Sequence, residues 1–88
     1  MKELDVLYET IKERKAHGEE GSYTSYLFNK GTEKILKKVG EECSEVIIAT
    51  LAQQKEDKIN ELSDLLYHLL VLMVDQDITL EEVNEELA

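Results

Sequence analysis

Two acidic pairs at helical spacing are the residues of this chain best suited to chemistry: Glu42-x-x-Glu45 and Glu61-x-x-Asp64. At ~100° per residue, the members of an i, i+3 pair lie on one helix face, about one turn apart. No proline or glycine separates the two pairs, and the stretch between them turns polar at Gln53-Gln54-Lys55-Glu56-Asp57, as a short helix-to-helix turn does. A hairpin pivoting near residue 53 sets Glu45 level with Glu61 and Glu42 level with Asp64. Four carboxylates then converge at one height of an antiparallel helix pair. Such a cluster costs Coulombic energy unless a cation occupies it. Mg²⁺, or Mn²⁺, is the natural occupant, a hard ion that takes oxygen ligands and keeps several waters.

Solvated surface carboxylates are the alternative reading. Lys37 with Glu41 and Lys38 with Glu42 form i, i+4 pairs worth ~0.2–0.5 kcal/mol each, and some E-x-x-E spacing arises by chance in a chain that is 34% charged. The Glu-x-x-His motif of di-iron bundles is absent, because Arg14 precedes His17 and Leu65 precedes His68 at the −3 position. Calcium loops of the EF-hand type are absent as well.

The elements that must position these carboxylates read as helices. Leu4, Leu7, Tyr8 and Ile11 give an amphipathic helix over about 2–17. Gly18 and Gly21 bracket a break, after which Ser22 or Thr24 can cap a short helix carrying Tyr23, Tyr26, Leu27 and Phe28. Gly31-Thr32 opens a long helix over about 33–53. There Ile35, Leu36, Val39, Cys43, Val46, Ile47 and Thr50 fall within an arc of ~120°. Glu42 borders that arc and is expected to be partly desolvated, whereas Glu45 and Glu41 lie further round. Cys43 reads as a small core residue.

The next helix, about 57–76, is apolar over ~260° of its circumference. Its one polar stripe holds Asp57, Glu61, Asp64, His68 and Asp75. A surface helix needs only a ~100° apolar face, so this one calls for more cover than the rest of the chain supplies. A homodimer packing these helices into a larger bundle is the economical solution. Thr79-x-x-Glu82 is a capping box for a last helix with Leu80, Val83 and Leu87 on its inner face. The fold class is all-α: a helical hairpin with flanking helices in one domain, 1–88.

Composition narrows the function. Twenty acidic against ten basic residues give a net charge of −10, which argues against non-specific nucleic-acid or anionic-membrane binding. No apolar run reaches ~18 residues and the N-terminus lacks a signal-peptide core. One cysteine cannot form an internal disulfide, so a cytoplasmic location is expected. A phosphorylated small molecule remains compatible with the charge, provided a metal screens it. Lys34 and Lys38 share a face with Glu41 and Glu45, a placement equally suited to phosphate binding and to charge balance on an acidic helix. His68 is as well placed to fill the core edge as to touch a substrate or support the residues that do.

Three segments in order, Ser22-Tyr23-Thr24-Ser25-Tyr26-Leu27, then Lys34 through Glu45 with its Gly40-Glu41-Glu42-x-x-Glu45 element, then Glu61-Leu62-Ser63-Asp64-Leu65-Leu66-Tyr67-His68, resemble the phosphoribosyl-ATP pyrophosphatases of histidine biosynthesis. These are members of the all-α, MazG-like nucleotide pyrophosphohydrolases. The resemblance implies Mg²⁺-dependent hydrolysis of 1-(5-phosphoribosyl)-ATP to 1-(5-phosphoribosyl)-AMP and pyrophosphate. It implies that Glu42, Glu45, Glu61 and Asp64 ligate metal, and that Glu41 orients or deprotonates the attacking water. Lys34 and Lys38 would face the phosphates, and Tyr23, Thr24 and His68 complete the candidate substrate-binding set. A house-cleaning hydrolase of ordinary or damaged nucleoside triphosphates and a catalytically silent helical dimerisation module are the competing readings.

Overall fold

A computed structural model describes all 88 residues. Five helices follow one another: α1 (Lys2–Ala16), α2 (Tyr23–Lys30), α3 (Thr32–Ala52), α4 (Lys55–Asp75) and α5 (Leu80–Leu87). The antiparallel pair of α3 and α4 is the spine. Helix α1 packs on α4 and α2, and α2 packs on α3, so the flanking helices gather on the open end of the hairpin.

Local signals set the boundaries. Helix α3 ends where Gln53 turns left-handed (φ 65°, ψ 17°) and its N–H donates to the carbonyls of Ala49 and Thr50. Gln54 is extended, and Glu56 and Asp57 then place negative charge in the first turn of α4, where the helix dipole favours it. The polar run at 53–57 is therefore a two-residue turn plus the first turn of the next helix. Ser22 caps α2, its Oγ accepting from the Ser25 N–H at 3.2 Å. Gly31, at φ 95°, makes the corner between α2 and α3 that a side chain would strain.

Helix α4 closes with the pattern that usually recruits glycine. Asp77 sits left-handed (φ 58°), its N–H donating to Val74 while the Ile78 N–H donates to Met73. The Tyr8 hydroxyl donates to the Ile78 carbonyl at 2.8 Å, tying α1 to this end. The capping box of Thr79 and Glu82 then starts α5 as the spacing predicts.

The core lies at that same end: Tyr8 and Ile11 from α1, Leu27 from α2, Ile35 from α3, and Leu70, Val71 and Val74 from α4. Toward the α3–α4 turn no flanking helix reaches, and apolar side chains stand uncovered, with Ile47 61% and Leu51 75% exposed. Ile59 and Leu62, in the first half of α4, are exposed as well. The sequence reading of Cys43 as a core residue is corrected here, for Cys43 is exposed. The reason is rotational. Helix α4 covers the side of α3 bearing Ile35, Val39, Val46 and Ala49, while Leu36, Cys43 and Ile47, ~80–120° further round, face away from it.

Candidate active site

The rotation that bares Cys43 turns Glu42 inward. Glu42 lies on the α4-facing side of α3, and its side chain is only 12% exposed, the desolvated border position its spacing predicts. Opposite it, Glu61 and Asp64 stand one turn apart on the polar stripe of α4. One carboxylate oxygen from each of Glu42, Glu61 and Asp64 lies within 4.8 Å of the others. Glu45 is exposed and outside this tight group, though close enough to act on Glu61. Burial pushes the Glu61 carboxyl above its ordinary range, and the charges of Asp64, Glu45 and Glu42 add to that push. Three of the four expected carboxylates thus converge, with the fourth at the rim.

The donor set is all carboxylate, without imidazole or thiolate. Hard oxygen donors from two facing helices fit a hard divalent cation, which would offset the mutual repulsion that Glu61 registers.

Lys38 bridges this cluster to its surroundings. Its ammonium donates to Glu41 at 3.2 Å and lies 3.8 Å from Glu42. The hydrogen bond to Glu41 holds the ammonium above its ordinary value, with burial opposing. The same bond holds the exposed Glu41 carboxyl below the usual carboxylate range. Lys34, half-buried a turn earlier, contributes to that lowering.

On the other flank, the Tyr23 hydroxyl meets His68 Nε2 at 2.9 Å, and His68 Nδ1 lies 2.7 Å from the Asp64 carbonyl. A carbonyl can only accept, so Nδ1 carries the proton and Nε2 accepts from the phenol. The hydroxyl of Thr24 pairs with that of Tyr67. Burial pushes the Tyr67 phenol up, with the Thr24 hydrogen bond opposing. All ten residues singled out from the sequence therefore lie in one region around the middle of the α3–α4 pair and the start of α2, with Glu45 at its edge.

Comparison with known proteins gives this arrangement its family. The model of the family described as phosphoribosyl-ATP pyrophosphohydrolase matches residues 4–88. The chain belongs to the phosphoribosyl-ATP pyrophosphohydrolase family. Among the relatives of the chain, a phosphoribosyl-ATP pyrophosphatase of Bacillus cereus is 57% identical over 81 residues, 92% of this chain and 76% of the relative. One of Listeria innocua is 57% identical over 84 residues, covering 96% and 81% respectively. A histidine biosynthesis bifunctional protein HisIE of Caldanaerobacter subterraneus is 56% identical over 84 residues, and the chain spans 41% of its length.

Two side chains of this region escape a reading of the sequence. Tyr67 falls within the apolar arc of α4, and nothing in the spacing marks its hydroxyl as the partner of Thr24. Tyr26 enters the sequence reading only as one of the side chains carried by the short helix, yet its ring stacks on Tyr23 with centroids 6.1 Å apart and 24° between planes.

The raised Glu61 makes a prediction for the metal-free protein. The folded chain holds that proton more tightly than the unfolded chain, so its contribution to stability is present at low pH. It is lost as pH rises from the ordinary carboxylate range through the raised value. Glu61→Gln should remove this slope. Urea midpoints in EDTA should show the variant equal to or more stable than wild type at ~pH 7, with the advantage gone near ~pH 4. A lower midpoint for the variant at neutral pH would mean that the carboxylate supports the fold instead.

Proposed function

We propose that the chain hydrolyses 1-(5-phosphoribosyl)-ATP to 1-(5-phosphoribosyl)-AMP and pyrophosphate, a step of histidine biosynthesis, as a single cytoplasmic domain acting on a small molecule. The observation that carries this reading is the family match over residues 4–88 falling on a chain whose helices converge Glu42, Glu61 and Asp64. In this reading those three residues, with Glu45 at the rim, hold Mg²⁺ or Mn²⁺. The ion supplies neutralisation of the triphosphate and polarisation of the scissile phosphoric anhydride.

The chain's own residues then have distinct tasks. Glu41, held ionised by Lys38, is a weak base and a good acceptor, which suits it to orienting the attacking water. The water oxygen bonds to phosphorus, the bridging P–O bond of the α–β anhydride breaks, the phosphate that leaves keeps that electron pair, and the proton shed by the water passes to solvent. Lys38, now paired to Glu41 and Glu42, and Lys34 beside it offer positive charge to the phosphates. An acidic protein can handle a polyanion in this way because cations stand between the two. Pyrophosphate release from phosphoribosyl-ATP, measured beside a panel of nucleoside triphosphates with and without EDTA, tests the reading. Absence of release in Mg²⁺ from phosphoribosyl-ATP would refute it.

We also infer a homodimer. Ile47, Ile48, Leu51, Ile59 and Leu62 lie exposed toward the turn end of the hairpin, apolar side chains that a second copy of the same hairpin can cover. No helix is long and apolar enough to cross a membrane, so a bilayer-spanning role does not account for that surface. Light scattering at micromolar concentration should give twice the 10.1 kDa chain mass, with thermal midpoints that rise with concentration. Ile47→Asp should shift the mass toward that of one chain. A stable wild-type monomer would count against the dimer without touching the assignment of chemistry.

A further inference from the structure

His68 lies on the polar stripe of α4, but it is only 5% exposed. Both ring nitrogens are engaged, Nδ1 with the Asp64 carbonyl at 2.7 Å and Nε2 with the Tyr23 hydroxyl at 2.9 Å. That leaves the imidazole no polar atom for a ligand. Its partner Tyr23 is the opposite case. The Tyr23 ring meets His68 edge-on (5.7 Å, 77°), leans on Tyr67 (6.1 Å, 31°) and stacks on Tyr26 (6.1 Å, 24°), yet Tyr23 keeps 45% of its surface exposed. Lys38 and Glu42 lie close enough to the phenol for both charges to act on it. Tyr26 is 42% exposed, and the Lys30 ammonium stands 5.8 Å from its ring centroid.

We propose that His68 is a positioning residue: fixed as the Nδ1–H tautomer, it holds Tyr23 so that the exposed Tyr23–Tyr26 rings form an aromatic wall beside the carboxylates, against which the purine of the nucleotide rests. This rests on the function proposed above, and it goes further by giving the base a place. Carboxylates and lysines address only the phosphates of a nucleotide. An exposed aromatic face next to them has affinity for a flat heterocycle. A freely rotating exposed tyrosine would lose entropy on each binding event, and the His68 hydrogen bond removes that loss in advance. A single accepted proton at Nε2 thereby links the interior of α4 to the reading of the substrate.

The test has two arms. In ¹⁵N NMR of the full-length wild type, His68 should show a protonated Nδ1 and an unprotonated Nε2, and Tyr23→Phe should move the Nε2 resonance. The reverse tautomer would overturn the proposal, and this arm needs no turnover. In steady-state kinetics, Tyr23→Phe and His68→Phe should each raise KM for phosphoribosyl-ATP about three- to tenfold with kcat little changed, and the double variant should be no worse than either single one. Tyr23→Leu, which removes the wall itself, should raise KM about tenfold or more. Inhibition by inorganic pyrophosphate, which has no base, should stay within about twofold throughout. Additive losses, an unchanged KM, or an equal weakening of pyrophosphate would each overturn the proposal. If His68→Phe fails to fold, the two Tyr23 variants decide. A wild type that leaves phosphoribosyl-ATP intact would refute the proposed function alone, with the tautomer still to be read.

Discussion

Asp64→Asn is expected to lower kcat for phosphoribosyl-ATP by about a thousandfold or more, while leaving the metal-free protein folded and no less stable. The expectation follows from how the carboxylates are spent. Asp64 is exposed and makes no hydrogen bond or ion pair through its side chain; its carbonyl, not its carboxylate, receives His68. Its nearest charged neighbours include Glu42 and Glu61, both negative. Removing one of three like charges cannot weaken the fold through lost attraction. It does remove a ligand from the proposed cation site, which has only three close donors, and amides bind hard divalent ions far more weakly than carboxylates do. Glu61→Gln should behave alike. Glu42→Gln should differ, because Glu42 is also partnered with Lys38 at 3.8 Å and is largely buried, so a modest stability change accompanies the loss of activity. The measurements are circular dichroism melts in EDTA, Mg²⁺ titration by calorimetry and pyrophosphate release. If Asp64→Asn unfolds the metal-free chain while the folded remainder keeps full activity, the residue is structural and the site assignment fails.

The site and the fold were legible to different depths. Helix pattern places α1, α3 and α4 to within about two residues, and Ser22 and the Thr79–Glu82 box mark the starts of α2 and α5 because capping acts locally. Glu42 was legible for a related reason: its angular distance from Ile35 is a property of α3 alone. Cys43 was not. Whether a residue on the apolar arc is covered depends on which side of α3 the partner helix takes, and that is decided by packing between segments remote in sequence. Gln53 and Asp77 take left-handed conformations with no glycine to announce them. The bond between Tyr23 and His68 joins residues 45 positions apart on different helices, so no spacing rule connects them. Long-range polar pairs are invisible to periodicity in just the place where this site is assembled.

Phosphoribosyl-ATP should be preferred over ATP by roughly a hundredfold to a few thousandfold in kcat/KM. The proposed cation would read the triphosphate, and the aromatic wall proposed above the purine; the two substrates share both. Discrimination must come from groups that reach the second ribose phosphate. The hydroxyls of the 22–27 segment are largely committed within the fold. Ser22 caps α2 and Ser25 is buried, accepting from the Glu19 N–H at 2.9 Å, while Thr24 is paired with Tyr67. The lysines are freer. Lys30 touches only the face of Tyr26, and Lys34 and Lys37 make no ion pair within 4.0 Å. A phosphate gripped by two ammonium groups gains about 1.5–3 kcal/mol for each charge-assisted bond, less the cost of ordering the side chains, or ~3–5 kcal/mol in all. Lys34→Ala should therefore narrow the preference by about tenfold or more, lowering turnover of phosphoribosyl-ATP further than that of ATP. Lys38→Ala should depress both substrates, because Lys38 also governs Glu41 and Glu42. Competition assays with the two nucleotides at equal concentration, run on wild type and on each lysine variant, give the ratio directly. Equal turnover of ATP and phosphoribosyl-ATP by the wild type would remove the second phosphate from the recognition of substrate and leave a general nucleotide pyrophosphohydrolase.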